Sequence, residues 1–131
     1  MSFSTIISNL GLAALAFFAP IQIAMIAAGA LIGIDTLFGV IAAKKEGKKI
    51  ESRKLSRVLI KMLAYQLLII SAHITQVYLV PAIPLVNITL TYIGISEFMS
   101  IGENFTIITG KNFIKFIKDY LTTKLNKVKE E

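Results

Sequence analysis

The sequence contains no cysteine and no tryptophan, and it has few charged residues for its length. The absence of cysteine excludes disulfides and thiolate metal sites. Only 17% of the 131 residues are charged, whereas a soluble domain has about a quarter. Charged side chains are missing altogether from residues 1–34 and 62–96. Each run exceeds the roughly 20 apolar residues that cross a hydrocarbon core, so the sequence predicts an all-α, small integral membrane protein.

The apolar pattern predicts about three transmembrane helices in a single domain, at residues 21–43, 62–80 and 85–108. Residues 1–43 would form a helix of roughly 65 Å, which is too long for one straight crossing. Pro20 offers a break, so residues 4–19 are predicted to be a separate apolar helix that lies in the interface or dips into the membrane. One long helix kinked at Pro20 fits the same pattern. The third span is predicted to continue past Glu97, which is then buried, and to end before Gly110; a short span that ends near Ser96 is the alternative.

Basic residues are concentrated in two segments that flank the apolar runs. Eight of the 14 lie in the predicted loop at residues 44–61, and the other six lie in the tail at residues 111–131. The positive-inside rule places both segments in the cytoplasm, and three spans then leave the N-terminus outside. Ser52 is predicted to cap a helix that begins in the loop. No basic residue precedes the first apolar stretch, so we expect that stretch to be retained rather than cleaved as a signal peptide.

The tail has apolar residues at helical spacing and lysines on the other face, which predicts a basic amphipathic helix on the membrane surface. A partner-binding or coiled-coil tail is the alternative. The expected partner of the basic segments is the lipid bilayer rather than nucleic acid, because they flank membrane helices. The predicted membrane-surface residues are Lys111, Lys115, Lys118 and Lys124.

Small residues are frequent in the first span, where Gly29 and Gly33 form a G-x-x-x-G pair. Such a pair lets two helix backbones approach closely. Gly39 lies on a second face, together with Asp35. Two close-packing faces on one helix are typical of a homo-oligomer, and packing against the other spans of the same chain is the alternative. The predicted helix-contact residues are Gly29, Gly33 and Gly39.

Asp35 lies inside an apolar run, where a carboxylate is costly and generally faces water or a partner. It is predicted to line an aqueous path or to pair with a lysine or arginine of the loop; an interfacial aspartate that reaches toward the cytoplasm is the alternative. In the second span Gln66, His73 and Gln76 form a polar stripe that should face other helices or water. For His73 we expect a hydrogen-bonded packing role.

The third span carries a comparable face, formed by Glu97, Ser100 and Asn104, with Glu103 turned to one side. These residues are candidates for pore lining or polar contact, together with those of the first two spans. There is no Gly-rich phosphate loop, no H-E-x-x-H and no G-x-S-x-G. The sequence therefore predicts no catalytic residue, no cofactor, no metal site and no enzymatic activity.

Two elements of the sequence resemble those of phage holins of the toxin-secretion/phage-lysis type. Asp35 and Gly39 fit a D-x-x-x-G motif at the end of the first span, followed by a basic stretch with Ser52 and Lys61 ahead of the next span. The run Ser96–Asn104 resembles an N-E-x-x-S-x-x-E-N element, and Gly110 matches a glycine that follows it. Ser96 departs from the usual Asn, and the prolines that often follow the glycine are missing. The resemblance covers about residues 21–113.

The resemblance implies a phage-encoded, multi-pass protein of the bacterial inner membrane. It would accumulate, oligomerise and permeabilise the host membrane, so that an endolysin reaches peptidoglycan during lysis. The endolysin is a functional partner that need not touch it. Three other functions fit the residues: a non-lytic toxin or protein secretion channel, a structural membrane protein of a larger assembly such as a lipid-containing virion, and an accessory subunit of a transporter.

Overall fold

The computed structural model describes residues 1–130, and only the last residue of the predicted tail, Glu131, lies outside this range. It is entirely helical in its regular structure, with no strand in the described chain. Three helical stretches are long and apolar enough to cross a membrane. This confirms the predicted all-α membrane fold. The helices are α1 (Phe3–Phe18), α2 (Gln22–Lys45), α3 (Ser52–Tyr78), α4 (Leu85–Thr109) and α5 (Phe113–Glu130).

The first two helices form a nearly continuous stretch of 43 residues, from Phe3 to Lys45. They are joined by one 3-10 turn, Ala19–Ile21, and Pro20 lies in its first positions. Proline is tolerated there because the first N–H groups of a helix have no internal acceptor. Residues 4–19 are therefore separated from the first span by this single turn. The arrangement is closer to the alternative prediction of one long helix kinked at Pro20.

Most of the predicted basic loop at residues 44–61 is helical, and a helix does begin within it. Helix α2 extends to Lys45 and α3 begins at Ser52, so only six residues separate them. The N-cap of α3 is Glu51, without a side-chain hydrogen bond, and Ser52 is the first helical residue. The prediction that Ser52 caps this helix was wrong. Most of the basic residues of this region therefore lie on helix ends, where arginine and lysine side chains can extend to the membrane surface.

Helices α2, α3 and α4 pack against one another through a small apolar core. Its centre is formed by Ile21, Ala28, Ile69 and Ile93, all nearly or fully buried. Large apolar side chains elsewhere point outward, including Ile23 (82% exposed) and Leu37 (64% exposed). Exposed leucine and isoleucine on every spanning helix would be unfavourable in water. In a bilayer these surfaces contact acyl chains.

The last helix is held against α4 by an aromatic cluster and a glycine. The ring of Phe113 lies 5.8 Å from those of Phe98 and Phe105. A Cβ atom on Gly102 would lie 2.5 Å from Ile114 Cδ1, so α5 approaches the backbone of α4 closely. Gly110 ends α4 in the left-handed region at φ 73°, which glycine adopts without strain, and the Asn112 side chain accepts a hydrogen bond from Lys115 N.

Candidate functional site

One ammonium group joins the three spanning helices. Lys61 Nζ of α3 lies 3.2 Å from Asp35 Oδ2 of α2 and 2.7 Å from Glu97 Oε2 of α4. Asp35 and Glu97 each lie near the centre of their own helix. The lysine therefore bridges two carboxylates on two different helices, and it is the partner of Asp35 that the sequence left unspecified.

Two neutral side chains complete this intramembrane cluster. Tyr65 donates its hydroxyl hydrogen to Glu97 Oε1 at 2.8 Å, and Asn104 donates to Asp35 Oδ1 at 3.2 Å. Lys61 and Tyr65 are one helical turn apart on α3, so both project toward α4. We define the intramembrane cluster as Asp35, Lys61, Tyr65, Glu97 and Asn104.

The burial of the cluster differs from one residue to the next. Glu97 is completely buried, the side chain of Asp35 is 14% exposed, and that of Lys61 is 32% exposed. A charge in a low-dielectric region is tolerated only when it is paired and hydrogen-bonded. The two carboxylates share one ammonium. The electrostatic attraction between these groups across the three helices offsets the hydration that each of them loses on burial.

The polar stripe of α3 faces other helices at points outside the cluster. Gln66 donates from Nε2 to the carbonyl oxygen of Met25 at 3.0 Å, and Gln76 Oε1 accepts from Val86 N at 2.9 Å. His73 is buried, and its ring packs edge-on against Phe17 at 5.2 Å. Within residues 1–130 its imidazole has this aromatic contact rather than the predicted hydrogen bond.

The remaining predicted residues lie apart from the cluster. Ser100 is half-buried and Glu103 is exposed, and neither has a side-chain hydrogen bond to the cluster within the described range. The four tail lysines are exposed, and Lys124 lies over the ring of Tyr120 at 5.9 Å. Metal-binding groups of three or more acidic or histidine side chains are not found among residues 1–130.

The three glycines have different surroundings. A Cβ on Gly29 would lie 3.8 Å from Gln66 Nε2, and one on Gly39 would lie 3.6 Å from Asn104 Nδ2. Both therefore face neighbouring helices of the same chain. Gly33 is exposed, and a Cβ there would have no atom within 4 Å. Of the three, only Gly33 is free to contact a second copy without first displacing a neighbour.

Sequence reasoning did not single out Lys61 and Tyr65 as site residues. In the sequence, Lys61 follows seven other basic residues and belongs to the basic loop, and Tyr65 lies in a charge-free apolar run without a distinguishing motif. A signal was present: Lys61 and Tyr65 have i, i+4 spacing, and two carboxylates in the other spans needed a cation. Which cation would pair with them depended on the packing of α3 against α2 and α4.

The fold and the polar cluster together define a multi-pass, all-α membrane protein with a charged centre. The profile of the bacteriophage holin family matches residues 13–126. The chain therefore belongs to the bacteriophage holin family, which confirms the resemblance seen in its motifs. Members of this family are non-enzymatic membrane proteins. No curated protein and no solved structure matches the chain.

Proposed function

We propose that this protein oligomerises in the bacterial inner membrane and permeabilises it, so that an endolysin reaches the cell wall during phage lysis. Family membership over most of the chain is the observation that carries this proposal. The orientation that accompanies it places the basic loop and the tail in the cytoplasm, as the positive-inside rule requires.

The intramembrane cluster supplies the polar groups that an aqueous lesion needs. In a single chain these groups are paired with one another across α2, α3 and α4. A water-filled opening would hydrate Asp35, Lys61 and Glu97 and remove the need for their mutual pairing. We therefore infer that opening separates α2, α3 and α4 near the cluster and exposes these residues, with Gln66 and Asn104, to water between subunits.

Gly33 is the position best suited to test self-assembly. Its surroundings are open in the single chain, so a Gly33→Leu variant keeps every contact within the subunit while blocking close approach of a second helix. Gly94→Leu is the matched control, since Gly94 lies in α4 and is equally open. Gly29→Leu is less informative because it also disturbs Gln66.

The test is inducible expression in a bacterial host, with and without a cytoplasmic endolysin, followed by optical density and potassium efflux. We expect abrupt efflux, with lysis only when the endolysin is present. Gly33→Leu should delay or abolish both, while Gly94→Leu keeps the timing of the unmodified protein. Stable insertion without efflux would contradict permeabilisation, and efflux without endolysin-dependent lysis would contradict a role in endolysin release.

A further inference from the structure

A cavity of about 410 Å³ lies between α2, α3 and α4 at their basic ends. Its walls are mainly apolar, with Val40 from α2, Leu55 and Val58 from α3, and Ile107 from α4. Small residues of α2, including Gly39 and Ala43, leave the space open. The volume is typical of pockets that hold small ligands.

The mouth of the cavity carries two lysines, Lys48 from the segment between α2 and α3 and Lys54 from the first turn of α3. Lys48 and Lys54 line it, together with Glu46 and the apolar residue Ile50. Glu46 forms a salt bridge with Lys48 at 2.6 Å, whereas Lys54 has no salt bridge within residues 1–130. The mouth is therefore net positive and lies where a membrane protein meets lipid headgroups.

The deep end of the cavity holds Asp35 and Asn104. The two oxygens of Asp35 are already bonded to Lys61 and Asn104, so neither is left without a partner in the cavity. Asp35 lies eight residues before Ala43 on α2, or roughly 12 Å along the helix. An anion held at the mouth is thus well separated from this carboxylate.

We propose that this cavity binds one anionic phospholipid, with its phosphate at Lys48 and Lys54 and part of an acyl chain along Val40, Val58 and Ile107. Basic pockets between membrane helices commonly take anionic headgroups, and the apolar walls accept the chain. Phospholipid surrounds this end of the protein in any bilayer. The proposal requires membrane insertion only and does not depend on permeabilising activity.

The absence of tryptophan permits a direct test with a single fluorescent reporter. Leu55→Trp places the reporter at the cavity, on a side chain that is 61% exposed. Ile41→Trp is the matched control: Ile41 is 51% exposed, lies near the basic end of α2 and does not line the cavity. Each variant is reconstituted in phosphatidylcholine vesicles that contain a minor fraction of brominated phosphatidylglycerol, a quencher of tryptophan fluorescence.

Leu55→Trp is expected to be quenched several-fold more than the mole fraction of brominated lipid predicts, while Ile41→Trp follows that mole fraction. Combining the reporter with K48Q and K54Q should remove most of the preference for the anionic lipid, since each lysine favours anionic lipid by roughly fivefold. K49Q with R53Q changes the net charge equally but alters residues that do not line the cavity, and it should leave the preference intact. Circular dichroism verifies that each variant is folded.

Three outcomes would overturn the proposal. Quenching of Leu55→Trp at the bulk mole fraction would show that no lipid is held in the cavity. An equal loss of the preference in the two double variants would show that the lipid is attracted by surface charge in general. Equal quenching by brominated phosphatidylcholine would show that the site does not select the headgroup. Protection of the reporter that increases with the protein-to-lipid ratio would show that a second copy of the chain occupies the cavity.

Discussion

Lys61 is the residue that connects the intramembrane cluster, because its ammonium group contacts carboxylates from two other helices. Removing one partner of a buried ion pair is more harmful than replacing the whole pair, since the remaining charges lose their compensation. Here two carboxylates share a single cation. The loss of Lys61 therefore leaves Asp35 and Glu97 without a counter-charge inside an apolar region.

A Lys61→Met variant is expected to lower the free energy of unfolding by roughly 2–4 kcal/mol, somewhat below the usual cost of breaking a fully buried pair because Lys61 is partly exposed. Unfolding in mixed micelles, followed by circular dichroism, measures this quantity. Lys49→Met, at an exposed loop position, is the control and should change the free energy little. Equal effects of the two substitutions would mean that the cluster does not stabilise the packed helices.

Tyr65 is expected to stabilise the cluster through one hydrogen bond to Glu97. A Tyr65→Phe variant should lose about 1–2 kcal/mol of unfolding free energy, which lies between the smaller contribution of side-chain bonds between membrane helices and the larger one of hydrogen bonds to charged groups. The same micelle titration applies. Tyr92→Phe is the matched control, since Tyr92 is 64% exposed; a loss of the same size there would contradict a specific role for Tyr65.

At the scale of elements, α5 is joined to α4 by a close approach rather than by charge. Ile114 lies against Gly102, and Phe113 packs between two phenylalanines of α4. The lysine face of α5 remains exposed, which suits a helix that packs against the protein at its start and lies on the membrane surface further along. A larger side chain at position 102 is therefore expected to weaken the docking of α5 on α4.

A Gly102→Leu variant is expected to displace α5, because even the first side-chain carbon at position 102 would overlap Ile114. The measurement is the rate of trypsin cleavage at the tail lysines in reconstituted protein, which should increase several-fold. Gly94→Leu on the same helix has open surroundings and should leave the rate unchanged. An unchanged rate in Gly102→Leu would show that the tail is held by lipid alone.

At the scale of the whole molecule, the charge distribution predicts one orientation. Both basic segments flank the same ends of the spanning helices, as the hydrogen bond from Lys45 Nζ to the Ile108 carbonyl oxygen at 2.6 Å indicates. From the positive-inside rule we expect the loop and α5 in the cytoplasm. With three crossings, we expect the N-terminal end of α1 on the opposite side or in the interface next to it.

The absence of native cysteine allows this orientation to be measured with single cysteines. Ser2→Cys should react with an impermeant maleimide in intact spheroplasts, and Lys124→Cys should react only after the membrane is permeabilised. Both side chains are exposed, so accessibility reports on the side of the membrane. Reaction of both positions from the same side would contradict three crossings.

The sequence by itself determined the membrane class, the number of spanning segments and the family. Charge-free runs longer than a bilayer core and two spaced motifs carry that information locally. The tertiary structure decided that Lys61 is the cation shared by Asp35 and Glu97, that Tyr65 and Asn104 complete the cluster, and that α1 continues into α2 through one turn. The pairing in the cluster depends on how three helices rotate against one another, and local hydrophobic periodicity constrains that rotation only weakly when lipid surrounds every helix. The continuity of α1 and α2 depends on the local backbone at Pro20, where the sequence allowed either a break or a kink.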